Sequence, residues 1–189
     1  MDVFDPVPVL PVVVPLAAVA FLALLWVLHR RGRLTVPRAG VALALCVYVA
    51  GVVANTVFPI YLSAPATEAR WKVYFGLVDG YDVGDAVTNI LVFMPVGMIV
   101  PLLLATPSWW RVLVASTAFS AVIELSQFFT GNLWGGGHLA DVNDLLFNVV
   151  GGVLGYGVFS LLTRVPALAA FIDLFRWSDP RPVVSSSSR

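Results

Sequence analysis

The chain has 189 residues and a formal net charge of zero, with 59% apolar and 12% charged residues. Soluble domains hold roughly 45–50% apolar and about 25% charged residues, so this composition excludes an ordinary soluble domain. Zero net charge argues against nucleic acid as a partner. The lone Cys46 excludes an internal disulfide or a paired-cysteine metal site.

The apolar surplus is gathered in blocks of about 20 residues, long enough to cross a hydrocarbon core of about 30 Å as helices. The first covers residues 7–28. Asp2 and Asp5 precede it, the basic run His29-Arg30-Arg31-Gly32-Arg33 follows it, and no small-residue cleavage site is evident. A secretory signal has its basic residues first, so this block reads as a retained helix. The second block, 39–60, ends at Phe58-Pro59 and holds Cys46 as a small packing residue. A polar connection, 61–84, carries Glu68, Arg70, Lys72, Asp79 and Asp82.

The third block, 85–105, contains Pro95 and Pro101. Pro95 cannot donate to the carbonyl of Leu91, which predicts a kink between Asn89 and Gly97. The fourth block is 110–129, and a glycine-rich loop, 131–140, leads to the fifth, 141–162. Residues 166–177 are too short to span and read as an amphipathic interfacial helix, followed by a disordered serine run at 185–188. The expected fold is all-α: an integral membrane helical bundle of about five transmembrane helices over 1–165, then an interfacial helix and tail over 166–189. The expected location is the cell membrane, multi-pass, and composition sets no oligomeric state.

Lysine and arginine placement gives orientation. Arg30, Arg31, Arg33, Arg38, Arg111, Arg164, Arg176, Arg181 and Arg189 fall on one side, against Arg70 and Lys72 on the other, nine against two. The positive-inside rule then puts the N-terminus outside and the C-terminus in the cytoplasm. Trp26, Trp109 and Trp110 fall at the inner interface, Tyr61 and Trp71 near the outer one.

In that orientation three helix ends bring polar side chains to the outer face. Asp85 and Asn89 open the third helix, Glu124 and Gln127 close the fourth, and Asp141, Asp144 and Asn148 open the fifth. Glu124 lies about 7–8 Å inside the end of its helix at 1.5 Å per residue. Each set shares one helical face. The fifth continues its face as Gly151, Gly152 and Gly155, a spacing that permits close helix contact, and the fourth continues as Ser116 and Ser120. A compact bundle of the third, fourth and fifth helices follows, with an acidic pocket at its outer mouth.

The pattern Asn89-x-x-x-Phe93-x-Pro95-x-Gly97, then Glu124-x-x-Gln127, then Asp141-x-x-Asp144-x-x-x-Asn148-x-x-Gly151 resembles the VanZ-like family over about residues 84–162. Two positions depart from it. His138 stands where family members more often carry arginine, and Asn143 takes the middle acidic place of the Asp-x-Asp-Asp run. His138 would make the pocket's charge depend on pH. The resemblance implies a bacterial membrane protein related to one associated with glycopeptide (teicoplanin) resistance. It implies no particular reaction.

Each polar residue also has a plainer reading. An ionisable side chain inside a membrane helix is a functional signal, and Glu124 suits proton transfer; it would equally serve as a hydrogen bond to Asn89 or Asn148. Asp141 stands where an N-cap belongs, with Asp144 placed as in a capping box. His138 is a loop contact or a solvated side chain. Asn89, Gln127 and Asn148 bridge helices or touch substrate.

Two function classes remain open. In one, the pocket is an active site for a membrane lipid or lipid-linked envelope substrate. Glu124 is then acid or base, Asp141 and Asp144 act with it, and Asp85, Asn89, Gln127, His138 and Asn148 bind substrate. In the other, the protein binds an envelope component or antibiotic without chemistry. A proton or ion pathway is a third, for which only Ser116, Thr117 and Ser120 lie deep enough. No cofactor motif is evident; a divalent cation on these carboxylates would be magnesium or calcium, given oxygen ligands.

Overall fold

The computed structural model describes residues 6–61, 76, 80–133 and 141–178. Its regular elements there are the helices α1 Val9–Arg30, α2 Val36–Thr56, α3 Val83–Leu103, α4 Trp109–Leu133, α5 Val142–Leu162 and α6 Pro166–Asp173. The first five are each long and apolar enough to cross a membrane.

Their bounds follow the apolar blocks within a few residues, and the shifts have local causes. α2 begins at Val36 because Pro37 fits a first helical turn, where the missing N–H has no intrahelical acceptor to lose. It ends at Thr56, ahead of Phe58, whose backbone the following Pro59 steers away from helix. α4 runs on to Leu133, and in its last turns Thr130 and Asn132 return their side-chain donors to carbonyls one turn back, at 2.8 Å to Ser126 and 2.6 Å to Phe128. α3 passes as one helix through Pro95 and Pro101. Beside the carbonyl that Pro95 leaves without a donor, the Tyr48 hydroxyl of α2 donates to Val92 at 2.9 Å.

Successive helices run in opposite directions. The Val7 N–H donates to the Ile60 carbonyl at 2.9 Å, so the start of α1 lies beside the chain that leaves α2. That end also holds the starts of α3 and α5 and the last turns of α4, and is called the acidic end below. Midway along the bundle, Val52, Phe93, Val96 and Ile123 form a core where α2, α3 and α4 meet, with Tyr48 and Phe119 packed against it.

Helices α3 and α5 touch backbone to backbone. A Cβ at Gly151 would overlap the carbonyl of Ile90, one at Gly155 that of Met94, and one at Gly97 the α5 backbone at Gly152 and Tyr156. The small-residue spacing read from the sequence is therefore the α3–α5 seam. Gly152, on the adjoining face, makes room for the Ser116 hydroxyl of α4. This wedges α5 between α3 and α4.

At the opposite end the chain after α6 closes the bundle. The helix is shorter than the 166–177 stretch, and residues beyond Asp173 act as a clamp instead. The Trp177 N–H donates to Leu102 at 2.8 Å, one of the carbonyls α3 leaves without an intrahelical donor. Arg38 Nε donates to the Arg176 carbonyl at 2.6 Å, and Arg33 donates to the Trp177 carbonyl at 3.0 Å. The arginines of the α1–α2 connection and of the C-terminal segment thus meet at one end, as their distribution in the sequence implies. His138, its neighbouring glycines, Arg70, Lys72, Trp71 and the serine run at 185–188 lie outside the described residues.

Candidate functional site

At the acidic end, α3 starts earlier than expected because Asp82 is its N-cap. The Asp82 carboxylate accepts the N–H of Gly84 at 2.7 Å and of Asp85 at 3.3 Å. Asp85 falls in the first turn, where negative charge suits the helix dipole. Its side chain is exposed and takes no hydrogen bond among the described residues. Asp85 therefore stands at the exposed edge of the polar group, near enough for its charge to act on Tyr81.

Tyr81, directly before that cap, lays its ring on Phe147 of α5, with centroids 5.3 Å apart and planes 16° from parallel. Its hydroxyl donates to Asp144 Oδ1. Asn89 Nδ2 donates both to that hydroxyl and to Asp144 Oδ1, at 2.8 Å each. Burial first, and then the adjacent Asp144 carboxylate, push the Tyr81 phenol upward from its ordinary range. It therefore stays a donor. Asp144 is held by this pair and does not reach back as the second member of a capping box.

Asp141 is the N-cap of α5. Its Oδ1 accepts the backbone N–H of Asn143 at 2.8 Å and the Asn143 side-chain amide at 3.0 Å. Asn143 is fully buried and also donates to the Gly76 carbonyl at 2.8 Å. An acid in its place would lose both side-chain donations and crowd a further carboxylate against Asp141, which is a physical reason for the departure at this position.

Glu124 bonds neither Asn89 nor Asn148. Its Oε2 accepts the backbone N–H of Asp141 at 3.0 Å. Because α4 extends to Leu133, Glu124 lies nine residues before the helix end, about 13 Å rather than 7–8 Å. Level with it is the start of α5, not the end of α4. Neither Glu124 Oε1 nor Asp141 Oδ2 has a partner among the described residues.

A buried polar column continues inward between α4 and α5. Asn148 Nδ2 donates to Ser120 Oγ at 3.0 Å, and Ser116 follows one turn on. Asn148 Oδ1, Ser116 Oγ and, towards the acidic end, Gln127 Oε1 are buried without a partner among the described residues. Thr117 is not part of this column, since its hydroxyl donates to Leu113 on its own helix at 2.9 Å. The column stops at Val112, which is fully buried.

A groove of about 350 Å³ runs between α4 and α5 beside this column. Ala121, Leu125 and Phe128 of α4 and Val142 and Leu145 of α5 form its apolar walls, and Glu124 and Asp141 lie along it. Leu125 is exposed, so the groove opens sideways on the apolar surface of the bundle. A larger groove of about 560 Å³ between α1 and α2 is lined by hydrocarbon and Cys46. Lacking a charged group, it offers nothing to fix the orientation of a ligand. The α4–α5 groove is the better site.

Charge divides along the bundle axis. Asp82, Asp85, Glu124, Asp141 and Asp144 are at the acidic end, where no lysine or arginine lies among the described residues. Arg30, Arg31, Arg33, Arg38, Arg111, Arg164 and Arg176 are at the other. Among the described residues no three His, Cys, Asp or Glu side chains converge closely enough to hold a metal ion.

Sequence reasoning missed Tyr81 and Asp82, which it left in the 61–84 connection. The signal was present: Asp82-x-x-Asp85 is a helix-start pattern three residues ahead of the apolar block. Tyr81 then occupies the position before the cap, from which side chains fold back onto neighbours.

Searches of curated proteins and of solved structures found no match to this chain. The VanZ/LLP1 family model matches residues 45–163, from within α2 to just past α5, and so takes in every polar group described above except Asp173 and the arginines outside that range. That span is more than half of the chain and carries the Asn89, Glu124 and Asp141–Asn148 motifs in order. The chain belongs to the VanZ/LLP1 family and is a multi-pass membrane protein.

Proposed function

We propose that the protein binds or acts on a lipid-linked component of the cell envelope, which reaches Glu124 sideways from the bilayer through the α4–α5 groove. The observation that carries this reading is a carboxylate on the wall of an apolar groove open to the lipid-facing surface. Hydrocarbon walls suit a chain, and a polar group at one level fixes its headgroup. The acidic end is taken to face outward, because the arginines gathered at the opposite end belong on the cytoplasmic side.

Glu124 is the candidate acid or base. Its Oε2 is fixed by the Asp141 N–H, which leaves Oε1 for a ligand. Asp144, held by Tyr81 and Asn89, and Asp141, held by its cap, give the site its negative charge and its shape. Asn148 and Gln127 supply amide oxygens behind it. At family level, the phenotype to which this fits is altered susceptibility to glycopeptide antibiotics, whose target chemistry is in the envelope.

Binding without chemistry is the second reading, and one observation favours it. Asp144 is held by Tyr81 and Asn89 and Asp141 Oδ1 by its own cap, so among the described residues only Asp141 Oδ2 is left beside Glu124 to share acid–base work. A through-going ion path is disfavoured by the closure of the polar column at Val112.

The test is Glu124→Gln, expressed in cells and scored for glycopeptide susceptibility alongside protein abundance in the membrane. Glutamine retains the acceptor for Asp141 N–H but cannot ionise. Loss of the phenotype at normal abundance supports the reading. Full retention would make Glu124 a structural group.

A further inference from the structure

We propose that a groove between α3, α5 and α6 is a site for an anionic phospholipid of the leaflet at the arginine-rich end, with its phosphate held by Arg176 and an acyl chain laid along α3. The site is separate from the α4–α5 groove and does not depend on it.

The groove holds about 340 Å³, and its walls are α3 from Pro95 to Leu102, Phe159 and Leu162 of α5, and Ile172 and Phe175. From Leu102 to Pro95 the wall runs about 10 Å at 1.5 Å per residue, a shape that suits a chain. None of the eight residues of α6 is buried, so α6 faces α3 and α5 across this groove. A helix that short is not stable without a surface to pack against. Phe171, exposed, packs its ring on Phe175 at 5.1 Å, which places the rim of the groove beside the lipid-facing surface. Hydrocarbon is what such walls accept.

Charge at one end of the groove decides the headgroup. The Arg176 guanidinium lies over the ring of Phe159, 5.4 Å from its centroid, and so stands at the groove wall. Its Nε donates to Asp173 at 2.7 Å, and its Nη1 lies 3.5 Å from the Pro101 carbonyl, at the outer limit of a hydrogen bond. Nη2 has no partner among the described residues. Asp173 is 46% exposed and meets the guanidinium at Nε, which leaves the two terminal nitrogens for a second anion. Those nitrogens form the fork that two phosphate oxygens fit. A zwitterionic head would return a cation to the side of Arg176, and Arg164, exposed just past the end of α5, adds to that repulsion. Next along the chain, the Trp177 N–H holds Leu102 at the same end of the groove, so a bound phosphate steadies the segment that clamps α3. Anchored by one arginine, the lipid exchanges with the bilayer and is not carried through purification.

The experiment titrates purified protein in detergent with dioleoyl phosphatidylglycerol or dioleoyl phosphatidylcholine and counts bound lipid by native mass spectrometry. Arg176→Gln, Arg176→Lys, Met98→Trp and Arg31→Gln accompany wild type. Met98→Trp fills the groove, and Arg31→Gln removes the same charge at an exposed position past the end of α1. Wild type should bind the anionic lipid about fivefold more tightly than the zwitterionic one, the effect of one arginine beside an anionic head. The preference should fall to near unity in Arg176→Gln and persist in Arg176→Lys and Arg31→Gln, while Met98→Trp should lose it together with anionic binding. Inorganic phosphate, which has no chain, should not displace the lipid. Equal losses in Arg176→Gln and Arg31→Gln would assign the preference to the overall charge of that end and overturn the site. Anionic binding unchanged in Met98→Trp, or displacement by inorganic phosphate, overturns the groove as the place of the chain. A wild-type dimer abolished by Met98→Trp would give the groove to a second copy and overturn the lipid.

Discussion

Glu124 Oε2 accepts the backbone N–H of Asp141 at 3.0 Å, and this one bond joins the second half of α4 to the N-cap residue of α5. The Asp141 N–H lies just outside the set of donors that an N-cap side chain satisfies. Asp141 covers Asn143, and Glu124 covers Asp141 from another helix. The carboxylate on the groove is thus also part of how α5 begins.

That double duty separates two substitutions at one site. Glu124→Gln keeps an oxygen for the Asp141 N–H and should cost less than about 1 kcal/mol, whereas Glu124→Ala leaves the donor unmet and should cost about 1–3 kcal/mol. Thermal unfolding of the purified proteins in detergent measures both. Equal destabilisation by glutamine and alanine would mean that the bond contributes nothing to holding α5.

The α3–α5 seam predicts a contrast between two glycines of the same helix. A side chain at Gly155 would collide with the α3 backbone at Met94, while a Cβ at Gly157 meets nothing within 4 Å. Gly155→Val should cost about 3 kcal/mol or more and lower the folded yield. Gly157→Ala should stabilise α5 by up to about 1 kcal/mol through helix propensity. The unfolding midpoints of the two variants should therefore move in opposite directions from wild type.

Tyr81→Phe tests the Tyr81–Asn89–Asp144 group. Phenylalanine retains the stack on Phe147 but removes the donor to Asp144 and the acceptor for Asn89. Loss of a hydrogen bond to a charged group should lower stability by about 1.5–3 kcal/mol. Asp144→Asn in the same background should recover part of that loss, because a neutral amide tolerates the missing donor better than a carboxylate. Additive losses in the double variant would show that the two side chains are not coupled.

Orientation has its own measurement. Cysteines placed at Val83, exposed at the acidic end, and at Val36, exposed at the arginine-rich end, report the two faces. A membrane-impermeant thiol reagent applied to intact cells should label the Val83 variant and not the Val36 variant. Native Cys46, buried in α2, should stay unlabelled in both and serves as the control. The reverse pattern would put the acidic end in the cytoplasm.

The parts of this arrangement legible in the sequence are those that depend on local sums. Length and hydropathy give α1 to α5, and the spacing of Gly151 and Gly155 gives the face on which α5 meets its neighbour. The end of α4 was not legible, because Thr130 and Asn132 lower the apolar signal while returning their donors to their own helix. Partners across helices were harder still. Glu124 was expected to meet Asn89 or Asn148, but which polar group sits level with it depends on the vertical register of α4 against α5. Ser116 against Gly152 and Ser120 against Asn148 set that register, and Glu124 then falls opposite the cap. The C-terminal clamp could not be foreseen at all, since the Trp177 N–H that caps α3 is a backbone group present in almost any residue.

The central claim is that the α4–α5 groove holds a lipid, and native mass spectrometry of the protein released from mild detergent tests it most directly. Wild type should retain a bound lipid after the annular lipids are stripped. Ala121→Trp, which fills this groove, should lose it, while Ala20→Trp, which fills the larger α1–α2 groove, should keep it. A lipid retained equally by Ala121→Trp, or lost only from Ala20→Trp, would contradict the assignment of the site.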